Sequence, residues 1–136
     1  PVIVGGTGLR RTPAVAAAHA DELNIPFMDV EDTAKRIDAA RAACEETGRD
    51  PDSLRYSAAL TTCCGRDEAE LARRAASIGA DLAELRTSGL AGSPAEIVDR
   101  IGEYAAAGAS RIYLQILDLD DLAHVELLAS DVLSLD

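Results

Sequence analysis

Four short apolar runs, at residues 2–4, 24–27, 56–62 and 111–117, are each followed by a segment of helical character. This alternation constrains the chain more than any other feature. Strands separated by a helix's length of chain cannot be joined as tight hairpins; they pair in parallel, with the connecting helices laid against the sheet. The runs are apolar rather than alternating, which predicts strands covered on both faces. The expected order is β-α-β-α-β-α-loop-α-β-α, an α/β fold of parallel strands with outer helices.

The helical segments carry their own punctuation. Thr12-Pro13 reads as an N-cap followed by proline in the first turn, opening a helix over residues 14–23. Asp32 or Thr33 caps the next helix, which turns Ile37, Ala40 and Cys44 to one face and stops at Gly48. Asp50-Pro51 marks a turn. A third helix opens at Asp67, with Glu68 and Glu70 in its first turn and Arg73 and Arg74 later, as the helix dipole favours, and closes at Gly79. Residues 80–92 read as an irregular loop. Ser93-Pro94-Ala95-Glu96 is a capping box, and its helix turns Ile97, Ile101 and Tyr104 inward before Gly108. The last helix presents Leu122, Val125, Leu128 and Val132 to the core.

The chain of 136 residues fits one ordinary domain by length, and 48% of it is apolar. Alanine supplies much of that share, so the core is expected to rest on close helix packing rather than on large side chains. A formal net charge of −11 argues against a nucleic-acid or anionic-membrane surface. Cys44, Cys63 and Cys64 are an odd number without a disulfide spacing. No apolar run is long enough to span a bilayer and no signal peptide is visible, so the cytoplasm is the expected location.

The stretch "PVIVGGTGLRRTP" ends a strand in three glycines and enters a helix. It has two functional readings. In a dinucleotide-binding fold, Gly6-Thr7-Gly8 would be a partial fingerprint and Asp29, about 20 residues on, would meet a ribose. Arg11 stands where that fingerprint needs its third glycine. In a (β/α)8 barrel, the same turn would hold a phosphate on backbone N–H groups beside a helix N-terminus. Gly5, Gly6 and Gly8 would let the backbone approach, and Thr7 could add a hydroxyl. The plain alternative is a tight strand-to-helix turn that binds nothing.

The segment "GGTGLRRTPAVAAAHADELN" resembles the mid-chain motif of the luciferase-like monooxygenase family, in its deazaflavin-dependent branch. The resemblance continues through "GRDPDSLRYSAAL" and "DEAELARRAA", resumes at "GSPAEIVDRIGEYAAAGASRIYLQILDLDDL", and ends at "LLASDVLSL", which is similar to that family's C-terminus. It implies that residues 1–136 are a single unit, the C-terminal half, or last four βα units, of a (β/α)8 TIM barrel whose N-terminal half is absent. It implies FMN or coenzyme F420 as cofactor, with its phosphate at Gly5, Gly6, Thr7, Gly8 and Arg11. The chemistry would be hydride transfer, or oxygen activation with a flavin, on a small-molecule substrate. An open half exposes sheet edges and one face of its core, so the expected partners are the missing half or a second copy, as in a homodimer.

Other residues divide between chemical and structural readings. Arg10 or Arg11 could pair with a phosphate as a fork, or be a solvated pair at a helix entry. His19 and His124 lack a triad partner and read as surface or satisfied packing. Adjacent Cys63 and Cys64 read as small apolar residues at a strand end. Asp118, Asp120 and Asp121 follow a strand without the ligand ladder of a calcium loop and read as a cap for the last helix. Gln115, polar within an apolar strand, calls for a partner or a ligand. No metal site is expected.

Overall fold

The computed structural model describes residues 1–133. In chain order the elements are β1 (Ile3–Gly5), α1 (Arg11–His19), β2 (Glu22–Pro26), α2 (Val30–Glu46), a 3-10 turn (Pro51–Ser53), β3 (Arg55–Cys64), α3 (Glu68–Ser77), α4 (Leu82–Ser88), β4 (Leu90–Gly92), α5 (Pro94–Ala106), β5 (Arg111–Gln115) and α6 (Leu122–Asp131). The chain forms two compact units, one of Pro1–Ala59 with Glu103–Tyr113, the other of Leu60–Gly102 with the residues from Leu114 on.

The first unit is a parallel β1-β2-β3 arrangement. Ile3 aligns with Glu22, and Glu22 with Arg55. Leu23 and Ile25 of β2 alternate with Glu22 and Asn24, placing the apolar pair on the buried face beside Tyr56 and Ala58. Ala16, Ala17 and Ala20 are buried, as is Ala40 of α2, and α1 packs directly on α2. Alanines thus line the α1–α2 contact, but the core as a whole also rests on large side chains, among them Leu23, Ile25, Ile37, Leu54 and Tyr104, contrary to the expectation from composition. Arg49 follows α2 and turns back, its Nη1 donating to the carbonyls of Ala16 and Ala17 at 3.2 and 3.1 Å. The Ala17 carbonyl is an acceptor that the helix end leaves open, while that of Ala16 also takes the Ala20 N–H at 2.9 Å.

In the second unit β4 pairs in parallel with the end of β3, Thr62 aligning with Leu90. Cys63, Leu71, Ala75 and Leu85 form a buried cluster, with Ile78, Ala80, Leu82 and Ala91 around it. Asp67 caps α3 by accepting the Glu70 N–H at 2.8 Å, and Glu96 closes the box before α5 by accepting the Ser93 N–H at 2.7 Å. Both caps match the sequence reading.

Several boundaries differ from it. Helix α1 begins at Arg11 and has no side-chain cap, so Thr12 lies inside the first turn. Proline is tolerated there because first-turn N–H groups have no intrahelical acceptor. The helix stops at His19, and residues 22–23, expected to be helical, belong to β2. The cap of α2 is Asp29, which accepts the Asp32 N–H at 2.7 Å, rather than Asp32 or Thr33. The expected loop at 80–92 holds α4 and β4. In α6 the inward residues are His124, Leu127 and Leu128, while Leu122 and Val125 are exposed. Strand β5 alternates rather than being apolar throughout: Arg111, Tyr113 and Gln115 are exposed, Ile112 and Leu114 half-buried. Residues 134–136, the end of the segment matched to the family's C-terminus, lie outside the described residues.

Strand pairing counts against the dinucleotide-binding reading of the glycine turn. In a dinucleotide-binding sheet the order reverses, and the strand after the third returns beside the first. Here β5 pairs with β3, and β1, β2 and β3 follow one another in chain order. Asp29, the ribose ligand of that reading, is spent capping α2.

Candidate functional site

In parallel α/β folds the chemistry lies at the C-terminal ends of strands. The turn after β1 sits there. The N–H of Gly6 donates to the Asn24 carbonyl at 3.1 Å, extending the β1–β2 ladder by one bond. Gly6 therefore offers backbone shape rather than a free donor. A Cβ at Gly6 would stand 3.0 Å from the Thr12 Oγ1, and one at Gly8 3.1 Å from the same oxygen. The turn thus wraps the Thr12 side chain, and glycine at both positions is what admits it.

Beyond Gly6 the turn opens. Thr7, Gly8, Leu9, Arg10 and Arg11 are exposed. Among the described residues, the N–H groups of Thr7 and Gly8 have no hydrogen-bond acceptor. The Thr7 carbonyl accepts the Arg36 Nε at 2.9 Å, and Arg36 is anchored on α2 by Nη1 bonds to the Asp32 carbonyl at 2.8 Å and to Oδ1 at 3.1 Å. Arg36 fixes the turn from a neighbouring helix, a role that sequence reasoning missed because nothing local announces it. The outcome is an exposed, positively flanked turn with unspent N–H groups, those of Thr7 and Gly8 among them, leading into a helix.

The next loop, after β2, carries a conformational outlier. Phe27 has φ +54°, the left-handed region that bulky residues avoid, at a cost on the order of 1 kcal/mol. Three fixed points hold it there: the Phe27 N–H donates to Ala59 at 2.9 Å, the Met28 carbonyl accepts the buried Tyr104 hydroxyl at 2.7 Å, and Asp29 caps α2. The Phe27 ring is nonetheless half exposed.

On the face of β2 and β3 away from Leu23 and Ala58, Glu22, Asn24, Arg55 and Ser57 form a polar group. Glu22 is buried, accepting Arg111 Nη1 and the Tyr113 hydroxyl, each at 2.9 Å, with Arg55 at 3.7 Å. Burial pushes the Glu22 carboxyl up, but bonds from Ser57 and Tyr113 and the charges of Arg111 and Arg55 outweigh it and hold the group below its ordinary value. Asn24 donates to the Ser57 hydroxyl at 3.0 Å on the same face. A cavity of about 440 Å³ opens among Asp21, Arg41, Asp52, Arg55, Tyr56 and Ser110. It lies at the N-terminal ends of β2, β3 and β5, the end that reads as structural in such folds.

In the second unit the expected acidic cluster is structural. Asp121 caps α6 by accepting the His124 N–H at 2.9 Å and pairs with buried Arg74 at 2.7 Å. Arg74 also donates to the Cys64 carbonyl at 2.8 Å. His124 is buried, its Nε2 accepting the Cys64 N–H at 2.9 Å. Asp118 accepts the Ser77 hydroxyl at 3.1 Å. Burial raises the thiol of Cys64 to about 11 and that of Cys63 in the same direction, so neither is a ready nucleophile. The partner sought for Gln115 is Thr61, whose hydroxyl donates to its Oε1 at 3.2 Å. His19 is exposed on α1. Among the described residues no group of side chains is arranged to hold a metal ion, and no helix is long and apolar enough to cross a membrane.

A family model described as luciferase-like monooxygenase matches residues 1–88. Among curated proteins no sequence matches the chain. Among solved structures, the coenzyme F420-dependent tetrahydromethanopterin reductase from Methanopyrus kandleri aligns with a TM-score of 0.77 at 17% identity, over 98% of this chain and 50% of that one. An F420-dependent secondary alcohol dehydrogenase aligns at 0.80 and 11% identity, over 96% of this chain and 47% of that one. The FMN-bound oxygenating constituent of 3,6-diketocamphane monooxygenase, from the CAM plasmid of Pseudomonas putida, aligns at 0.67 and 18% identity, over 96% and 47%. The chain spans about half the length of these structures. Its parallel α/β fold is that of half of such a TIM barrel.

Proposed function

The chain belongs to the luciferase-like monooxygenase family, and on that premise we propose that it is the C-terminal half of an F420- or FMN-dependent oxidoreductase and supplies the turn that takes the cofactor's phosphate. The observation that carries this reading is the turn after β1, exposed, with the N–H groups of Thr7 and Gly8 unspent at the start of α1. Such groups, aided by the helix dipole, favour an anion. The residues fit a phosphate ester. Thr7 and Gly8 donate N–H groups, Gly5 and Gly6 keep the backbone slim at the strand end, and Arg11, with Arg10, adds positive charge. Arg36 keeps the turn from flexing away. When bound, the ring of either cofactor supplies the hydride chemistry, or with FMN the reaction with oxygen.

The remaining barrel strands are the partner of this segment, completing the wall around the ring and a small-molecule substrate; the closed barrel then pairs as a homodimer. The experiment is a titration of the intact protein with FMN and riboflavin, and with F420 and its dephosphorylated chromophore, following the ring absorbance. The phosphorylated form should bind at least tenfold tighter, and Arg11→Met should shrink that ratio. Equal affinity of both forms in the unaltered protein would sink the phosphate role.

A further inference from the structure

We propose that Phe27 is a ligand-binding residue whose ring packs against the organic body of the phosphorylated ligand that the Thr7–Gly8 turn takes by its anionic end. The inference rests on the phosphate reading above, and three observations carry it beyond that reading. Phe27 adopts φ +54° although any residue with a Cβ is disfavoured there. Its conformation is held from both sides, by the Phe27 N–H bond to Ala59 and the Met28 carbonyl bond from Tyr104. Phe27, the sole phenylalanine of the sequence, is 49% exposed as a residue.

A loop that needed only to turn would carry glycine or asparagine at this position, without strain and without an exposed ring. Strain that the surroundings hold in place collects at ligand clamps. The location agrees. Gly5 aligns with Asn24 in the parallel β1–β2 ladder, so the turn after β1 and the loop after β2 leave the same end of adjacent strands. Arg36 of α2, the helix that follows the Phe27 loop, reaches back to the Thr7 carbonyl. One face of the site thus offers N–H groups and arginines to an anion, and its neighbour offers an aromatic plane to carbon. A phosphorylated molecule with a flat or apolar body matches that pairing.

The test uses the intact protein with Phe27→Ala, Phe27→Tyr and Phe27→Gly. Affinities for FMN, riboflavin and inorganic phosphate are measured by fluorescence and calorimetric titration, with F420 and its dephosphorylated chromophore in place of the flavins if those bind tighter. Phe27→Ala should weaken the phosphorylated and dephosphorylated ligands by the same factor, about five- to tenfold, as loss of one aromatic contact implies. Inorganic phosphate should bind unchanged, and Phe27→Tyr should restore the affinity. Phe27→Gly should melt no lower than the unaltered protein, because glycine relieves the strain, yet bind as weakly as Phe27→Ala. Unchanged affinity in Phe27→Ala overturns the proposal. So does a melting temperature lowered by many degrees in Phe27→Gly, which would make the ring structural. Failure of the phosphate reading is a separate result: phosphorylated and dephosphorylated ligands would then bind the unaltered protein alike, whatever Phe27 does.

Discussion

Arg49 and Ala20 meet at the C-terminal end of α1, where the guanidinium Nη1 donates to the Ala20 carbonyl at 2.8 Å. The same nitrogen reaches Ala16 and Ala17, and Nε donates to the Ser53 hydroxyl at 2.9 Å. A side chain 29 residues downstream thus terminates the helix that starts at the glycine turn. Replacing Arg49 by methionine strands the half-buried carbonyls of Ala17 and Ala20. The expected loss is about 2–3 kcal/mol of unfolding free energy, read by urea denaturation, with lysine recovering only part of it.

The stability of the second unit should fall in mild acid. His124 has a pKa below its ordinary 6.5, first because it is buried and then because Arg74 stands near. The neutral ring accepts the Cys64 N–H, which an imidazolium could not do. Asp121, Glu70 and Asp118 act in the opposite direction without prevailing. As pH drops through 6.5, the unfolded chain takes up this proton before the folded one, so stability present above that pH declines below it. Denaturation midpoints measured from pH 8 to pH 5 should show the decline. His124→Gln, whose amide oxygen can accept the same N–H, should flatten it. A second loss, from the lowered carboxyls of Asp121 and Glu70, belongs to lower pH, below their ordinary values of 3.8 and 4.5.

Two glycines should respond in opposite directions to alanine. A Cβ at Gly65 would lie 2.6 Å from the Leu71 nitrogen and 2.9 Å from the Asp67 carbonyl oxygen, both main-chain atoms that cannot yield cheaply. Gly65→Ala should cost several kcal/mol or prevent folding, in line with overpacking against backbone. A Cβ at Gly102, within α5, meets nothing within 4 Å. Gly102→Ala should stabilise by about 0.5–1 kcal/mol, a gain visible as a higher melting temperature.

The three thiols should be silent in the native protein. Cys44, Cys63 and Cys64 are all buried and unpaired, and burial raises the latter two. A thiol reagent at pH 8 should label none of them within minutes and all three in denaturant. Rapid native labelling would place at least one of them at the surface.

Features written locally were legible. Asp67 and the Ser93–Glu96 pair announced their helices because a cap is satisfied within three residues. The long β3 and α2 were legible from their apolar periodicity. The family resemblance located the glycine turn, and the fold placed that turn at a strand's C-terminal end. The illegible parts depend on contacts distant in sequence. Helix α4 has only seven residues and β4 three, too short for any period to show. Thr12-Pro13 misled because proline fits anywhere in a first turn. Leu122 and Val125 looked like core residues, yet His124 took the inward position because the Cys64 N–H required an acceptor. The roles of Arg36, Arg49 and Arg74 are illegible for the same reason, since the carbonyls they meet are brought to them only by folding.

The carboxylate of Glu22 meets Arg111 and Tyr113 on a sheet face where barrels of this architecture usually carry branched methyl groups. That face is wettable. Arg55 and Arg111 keep about half of their side-chain surface in water, although Ile3, aligned with Glu22 on the next strand, is half-exposed as well. Any surface laid over it would have to replace the water on two guanidinium groups, which favours one bearing acceptors over one bearing only hydrocarbon.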